Sequence, residues 1–303
     1  MSTVYLGTSE FAAAVLERLA GSGRHRPSLV ITRPDRPAGR GRRVSSPPVA
    51  QAALRLGLTL EQPQNVNDPA VSALIGAAAP GEPPTVVICA FGALIKEPLL
   101  SDHEIVNVHP SLLPRWRGAA PVERAIMAGD ERTGVTIMRL TAGLDSGPVC
   151  LQEAEAITPE DDYGSLSLRL QALGGNLLIR ALDESPPFRE QSEEGVTYAE
   201  KIAAADRLLD PSRPAAELER RVRALHPHIG ARLKLDDEQA LGVCRACVAG
   251  DRPPPSGELA AIGDRLLLGC DPGALELLEV QAPGGRPMDA AAYLRGHGVP
   301  VRR

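Results

Sequence analysis

Asn107 and His109 stand two residues apart in the run "EIVNVHP", and on a β-strand that spacing sends both side chains to one face. A carboxamide offers neutral N–H donors and an imidazole a titratable one. Together they suit a carbonyl oxygen that turns negative as a nucleophile adds to its carbon. Pro110 closes the strand, which places the pair at its exit. A third group lies in "TAGLDSGPV", where Asp145 occupies a glycine-flanked loop after the run "VTIMRL". A carboxylate that reaches the imidazole would orient the ring. Local spacing alone leaves the alternatives open: Asn107 and His109 also suit a strand end as turn residues, and Asp-Ser-Gly is an ordinary turn.

Other chemistry-bearing patterns are absent or incomplete. Gly7 in "YLGTSEF" is a lone glycine and not the G-x-G-x-x-G of dinucleotide binding, and no G-x-x-x-x-G-K-[ST] occurs. Five scattered cysteines do not form a disulfide framework. Cys244 and Cys247 make one C-x-x-C with no second pair or adjacent histidine to complete a zinc tetrahedron, so no metal is expected. The stretch "RPDRPAGRGRR", residues 33–43, carries five arginines against one aspartate. The chain has thirty arginines in 303 residues, so an eleven-residue window should hold about one, and five is an excess.

These residues need elements to position them. "TVYLG" reads as a strand ending at Gly7, and "FAAAVLERLAGSG" as a helix with Phe11, Val15, Leu16 and Leu19 at helical spacing. "SLVIT", "TVVICAFG" and "EIVNVHP" are β-rich without alternation, as strands buried on both faces are. Helical stretches "PPVAQAALRLG" and "DPAVSALIGAA" separate them, which implies an α/β domain with a doubly wound, mostly parallel sheet of Rossmann-like type. "YGSLSLRLQALGGNLLIRALDES" is expected as a helix covering it. Beyond residue 185 the chain turns polar, and a connection over 186–206 leads to the helix "PAAELERRVRAL". Short apolar runs with Asp-Asp, Gly-Asp and Asp-Pro-Gly turns then suggest a small antiparallel β-barrel of OB-like type. The expected division is a catalytic domain at 1–185, a linker at 186–206 and a C-terminal domain at 207–303.

Composition bounds the rest. The apolar share is 43%, the charged share 23% and the net charge −5, as in ordinary globular proteins; a protein coated with positive charge is excluded, although a local patch is not. No run of about 18 apolar residues suggests a membrane span, and the N-terminus lacks the pattern of a secretory signal. The expectation is a cytoplasmic protein with no membrane association.

Four motifs, "NVHPSLLPRWRGAAPV", "GVTIMRLTAGLDSGPV", "TRPDRPAGRGRR" and "TYAEKI", together resemble the methionyl-tRNA formyltransferases, a family of folate-dependent formyltransferases, in order and approximate spacing. The likeness runs from "VYLGTSEFA" to about residue 200 and is weaker beyond. It implies transfer of the formyl group of 10-formyltetrahydrofolate to the amino group of methionine on initiator tRNA, with Asn107, His109 and Asp145 as the catalytic core. It also implies a folate-contacting loop at Ser111, Leu112, Leu113 and Pro114, a second folate wall with Phe91 and Leu94, and tRNA contacts from Arg36, Arg40, Arg42 and Arg43. Arg40 stands where the family's key loop arginine stands. The likeness further implies a monomer.

The sequence departs from the family pattern at Lys96 and Glu97, which precede a proline the family usually places earlier, and at His226 and His228, where many relatives are aromatic and proline-rich. Rival activities would retain the same three residues: formyl transfer to an amino-sugar nucleotide, hydrolysis of formyltetrahydrofolate, or a non-catalytic folate- or RNA-binding module. An amino-sugar acceptor has no obvious use for the arginine-rich stretch, and the intact set of Asn107, His109 and Asp145 argues against a non-catalytic module.

Overall fold

A continuous apolar run is buried on both faces only when elements cover both sides of its sheet, and that arrangement organises the first part of the chain. In the computed structural model every residue is described except Met1, 39–42, Pro80, 237–238, 251–252 and Arg303; the side chains of Ala38 and Arg43 also lie outside the description. The chain divides into two compact units. Met1–Gly118, Thr133–Ala156 and Ser167–Tyr198 form the first, and Ala119–Arg132, Ile157–Leu166 and Ala199–Arg303 the second.

The elements run in the order β1 (Thr3–Gly7), α1 (Glu10–Gly21), β2 (Leu29–Ile31), β3 (Arg36–Ala38), β4 (Arg43–Ser45), α2 (Pro48–Arg55), β5 (Leu60–Glu61) and α3 (Pro69–Ala77). They continue with β6 (Thr85–Cys89), α4 (Leu99–Asp102), β7 (Ile105–His109), β8 (Arg117–Gly118), α5 (Pro121–Ala128), β9 (Arg132–Arg139), β10 (Val149–Ala156), α6 (Tyr163–Glu184) and β11 (Tyr198–Ala199). Seven strands form the main sheet in the order β10-β9-β7-β6-β1-β2-β5. From β5 to β7 the pairing is parallel, and β9 joins β7 antiparallel.

Helices cover both faces of this sheet. Val4 and Leu6 of β1 share a buried cluster with Val71 and Ile75 of α3, whereas the hydroxyl of Tyr5 between them donates to the Ala12 carbonyl of α1 at 2.6 Å. Ser9 caps α1 by accepting from Ala12 N, and Asp68 caps α3 by accepting from Ala70 N. Gly7 is required by close approach, because a Cβ there would lie 2.8 Å from Ala12 Cβ and 3.1 Å from Cys89 O.

Two departures from the sequence expectations concern the arginine-rich stretch and its neighbour. Residues 36–38 of the stretch pair as an antiparallel hairpin with 43–45, Arg36 opposite Ser45 and Ala38 opposite Arg43. Its single aspartate explains the base of that hairpin: Asp35 accepts from Gln62 Nε2 at 2.8 Å and from Ser46 Oγ at 2.9 Å. The hydrogen bond from Gln62, then that from Ser46, holds its carboxyl below the usual aspartate value. The edge strand β5 has two residues, too short for any periodic signal.

The second unit contains α5, the helix α7 (Ala215–Leu225), strands β12 (Ala231–Lys234), β13 (Ala240–Ala249), β14 (Leu259–Ile262), β15 (Arg265–Gly269), β16 (Ala274–Gln281) and β17 (Pro287–Asp289), and α8 (Ala290–His297). The strands make an antiparallel sheet in the order β12-β13-β16-β15-β14, with β17 also on β16. Ala215, Leu218, Val222 and Leu225 place one stripe of α7 against the strand residues Leu233, Leu241, Val243, Leu266, Leu275 and Leu277. His226 and His228 each find a carboxylate that sequence spacing concealed. His226 Nδ1 lies 2.8 Å from Asp162, and His228 Nε2 lies 3.0 Å from Glu123, with its ring stacked on Tyr163.

Candidate active site

Strand alternation sets the first two residues. Val108 of β7 faces α6, where a Cβ on Gly174 would sit 3.2 Å from it, so Asn107 and His109 face the other way. In the ladder Asn107 is opposite Ile88 on β6 and Met138 on β9, and His109 is opposite Thr136. Both side chains are buried, with 9% and 4% of their surface exposed.

Asp145, between β9 and β10, reaches both of them. Its Oδ1 is 3.4 Å from Asn107 Nδ2, and its Oδ2 is 3.7 Å from His109 Nδ1. The backbone N–H of Gly118 donates to the same Oδ2 at 2.8 Å. Asp145 takes φ = +43°, a left-handed conformation that costs an L-residue about 1–2 kcal/mol and that aspartate tolerates better than most. Surrounding contacts must therefore hold it. On the other side of the imidazole, Nε2 lies 2.9 Å from the Trp116 carbonyl, and a carbonyl only accepts, so Nε2 carries the hydrogen of this contact. Trp116 itself has φ = +66° and is pinned by Thr197 Oγ1, which accepts from its N–H at 2.9 Å. Its ring lies beneath the Arg115 guanidinium at 4.4 Å.

The stretch after β7 is tied down from within. Ser111 is fully buried, its hydroxyl donates to Arg115 O at 2.7 Å, and its carbonyl accepts from Thr136 Oγ1 at 2.6 Å. Leu113 N donates to Thr136 Oγ1, while Leu113 O accepts from Gln152 Nε2. Leu112 packs where Gly134 leaves room, and Pro114 is half-buried beside it. Ser111 and Leu113 therefore spend their polar groups on the shape of the loop.

Phe91 is 4% exposed and belongs to the core that contains Val4, Leu6 and Ile88, whereas Leu94 is 67% exposed. Both line a cavity of about 220 Å³ with Arg33, Arg36, Asn65 and Asn67. Residues 111–114 are not among its lining. Of the expected basic residues, Arg36 is exposed and lines this cavity, Arg43 is placed only by its backbone in β4, and Arg40 and Arg42 lie outside the described residues.

Sequence reasoning missed three contributors: the Trp116 carbonyl, Arg117 and Gln191. Arg117 is 4% exposed, and its guanidinium donates to Gln191 Oε1 at 3.1 and 2.9 Å. Gln191 Nε2 donates to the carbonyls of Asp145 and Gly147, both at 2.8 Å. The only signal was position, a glutamine in a polar stretch close before "TYAEKI".

A pair of hydrogen-bond donors at one buried strand end, met by a loop carboxylate, can serve addition to a carbonyl carbon, and comparison with known proteins shows the family. The family model described as formyl transferase matches residues 1–182, and the model of the formyl transferase C-terminal domain matches 201–298. The chain belongs to the formyl transferase family. It is 41% identical over 310 residues to methionyl-tRNA formyltransferase of Halorhodospira halophila, covering 99% of this chain and 98% of that one. Among solved structures it is similar to methionyl-tRNA formyltransferase from Clostridium thermocellum, with a TM-score of 0.61 and 14% identity over 83% of this chain and 95% of that one. It is also similar to HypX from Aquifex aeolicus in complex with tetrahydrofolic acid, with a TM-score of 0.63 and 15% identity; 96% of this chain is covered but 46% of that one, so the formyl transferase spans about half of HypX. At these identities the structures show the fold alone.

Proposed function

We propose that this chain transfers the formyl group of 10-formyltetrahydrofolate to the amino group of methionyl initiator tRNA. The carrying observation is that one carboxylate, Asp145, touches both Asn107 and His109 at the end of a buried strand. The name of the Halorhodospira relative, matched end to end, supports methionyl-tRNA as acceptor, and the tetrahydrofolic acid named for HypX supports a folate donor.

The amine attacks the formyl carbon, the new C–N bond forms, and the bond to folate N10 breaks after a tetrahedral intermediate. Its oxyanion is met by N–H donors of Asn107 and His109, which are prearranged in a buried site where such bonds are strong. Nε2–H of His109 donates to Trp116 O, so the oxyanion must take over or share that donor. Asp145 orients the ring through Nδ1, and the proton lost by the amine passes by way of Asp145 and water to the departing N10. No step needs a covalent enzyme intermediate. The donor's apolar ring face suits Phe91 and Leu94. A cavity of about 220 Å³ admits only a portion of the donor, since whole sites for drug-sized ligands are about 300–1,000 Å³. In this reading residues 1–185 carry the chemistry, 207–303 form the second domain, and the protein acts as a cytoplasmic monomer. The segment 186–206 does more than link, because Gln191 holds the Asp145 loop.

The deciding assay supplies 10-formyltetrahydrofolate with initiator or elongator methionyl-tRNA and measures formylmethionine. Formylation of the initiator is the expected result. Transfer to an amino-sugar nucleotide without transfer to tRNA would overturn the reading.

A further inference from the structure

We propose that Gln191 is a positioning residue for formyl transfer, an amide clamp that fixes the Asp145 loop so that its carboxylate meets His109 and Asn107. The proposal rests on the function given above.

The partners of Gln191 leave its amide only one orientation. A guanidinium only donates and a carbonyl only accepts, so Oε1 must face Arg117 and Nε2 must face the Asp145 and Gly147 carbonyls. Both amide hydrogens are then used, one on each carbonyl, and these carbonyls flank Ser146. The bonds thus grip the loop on both sides just where Asp145 takes its left-handed backbone. Arg117 anchors the clamp, and the next residue, Gly118, donates its N–H to Asp145 Oδ2. The contacts close a ring: Arg117 side chain, Gln191, Asp145 backbone, Asp145 carboxylate, Gly118 N–H. If the clamp opens, the carboxylate loses the backbone geometry that points it at His109 Nδ1. Gln191 is itself held by the bridge between Arg189 and Val149, two residues away.

Glutamate cannot do the same work. It would accept from Arg117 as well as glutamine does, but a carboxylate oxygen would then face two carbonyl oxygens with no hydrogen between them. The clamp needs a donor and an acceptor on one side chain.

The test uses the full-length chain carrying Gln191→Glu or Gln191→Leu. Formyl transfer is assayed as kcat and KM for both substrates, and exchange of the Gly118 amide hydrogen is followed in the absence of substrates. Both variants are expected to lose about 10- to 100-fold in kcat, as a small misplacement of a catalytic group does, with each KM within about twofold. The Gly118 amide should exchange about tenfold faster as its bond to Asp145 loosens. Wild-type kcat in Gln191→Glu, a raised KM at unchanged kcat, or unaltered Gly118 exchange would each overturn the clamp. If Gln191→Leu fails to fold, Gln191→Glu decides, because its ion pair with Arg117 retains the anchor. If the wild-type chain transfers no formyl group, the proposed function fails, and the Gly118 exchange still decides whether Gln191 sets the position of Asp145.

Discussion

At the residue scale the site is a division of labour between donors and the group that aims them. Asn107 and His109 were legible because a period of two needs nothing but a strand, and the ladder puts both on one buried face. Asp145 was legible as a carboxylate in a loop, but its reach was not, since nothing local fixes a contact across 36 or 38 residues of chain. The Trp116 carbonyl was invisible because every residue carries a carbonyl and only tertiary structure aims one. Replacing the ring tests the assignment directly. His109→Ala removes the proposed oxyanion donor and leaves Asp145 with no imidazole to orient, so kcat should fall roughly 10²-fold, or about 2.7 kcal/mol of barrier, with substrate affinity little changed. Steady-state formyl transfer measures it, and near-normal turnover would remove His109 from the mechanism.

At the element scale, the parallel strands, their covering helices and the antiparallel second sheet all follow from pattern. Patterns of burial are local, and they survive into the folded chain. The hairpin β3–β4 and the strand β5 did not show, because their pairing depends on partners such as Gln62 rather than on periodicity. The loop from β9 to β10 carries a similar hidden constraint. A Cβ at Gly147 would lie 2.0 Å from Arg139 O, a backbone atom whose own residue donates to Pro148 O at 2.8 Å. Gly147→Ala must therefore spread this loop, at about 1–3 kcal/mol of stability, and move Asp145 with it. A lowered melting temperature together with a fall in kcat is expected; a variant with wild-type values of both would refute the constraint. In the second unit, Arg124 of α5 grips Asp206 through two hydrogen bonds of 3.1 and 3.0 Å. That grip, aided by Ala203 N–H and opposed by partial burial, holds the Asp206 carboxyl below its ordinary 3.8. The folded chain thus binds this proton less readily than the unfolded one. The stabilisation is complete above the unfolded value and is lost as pH falls through the folded one. Asp206→Asn should cost up to about 1 kcal/mol at neutral pH, and the difference from wild type should shrink in acid-unfolding curves below 3.8.

At the scale of the whole molecule, charge sets how the protein and a polyanion meet. The chain as a whole carries −5, which repels RNA at long range, while the window 33–43 alone carries +4. The window is a local patch of the sign a polyanion attracts. Its one aspartate, Asp35, is held by Gln62 and Ser46 at the base of the hairpin. If Arg36, Arg40, Arg42 and Arg43 each displace a counterion from the RNA backbone, log K for methionyl-tRNA should fall with log salt at a slope of roughly −2.8 to −3.6. Arg40→Ala should flatten that slope by about 0.7–0.9, the share of one phosphate contact. Folate affinity should hold in Arg40→Ala, since the residues proposed to meet the donor are Phe91 and Leu94, whose cavity is also lined by Arg33 and Arg36 of the patch. Titrations of charged tRNA at several salt concentrations, alongside folate binding, measure both quantities. A slope unchanged by Arg40→Ala, or equal losses of tRNA and folate binding, would take the patch out of acceptor recognition and leave RNA attraction unexplained in a chain of net negative charge.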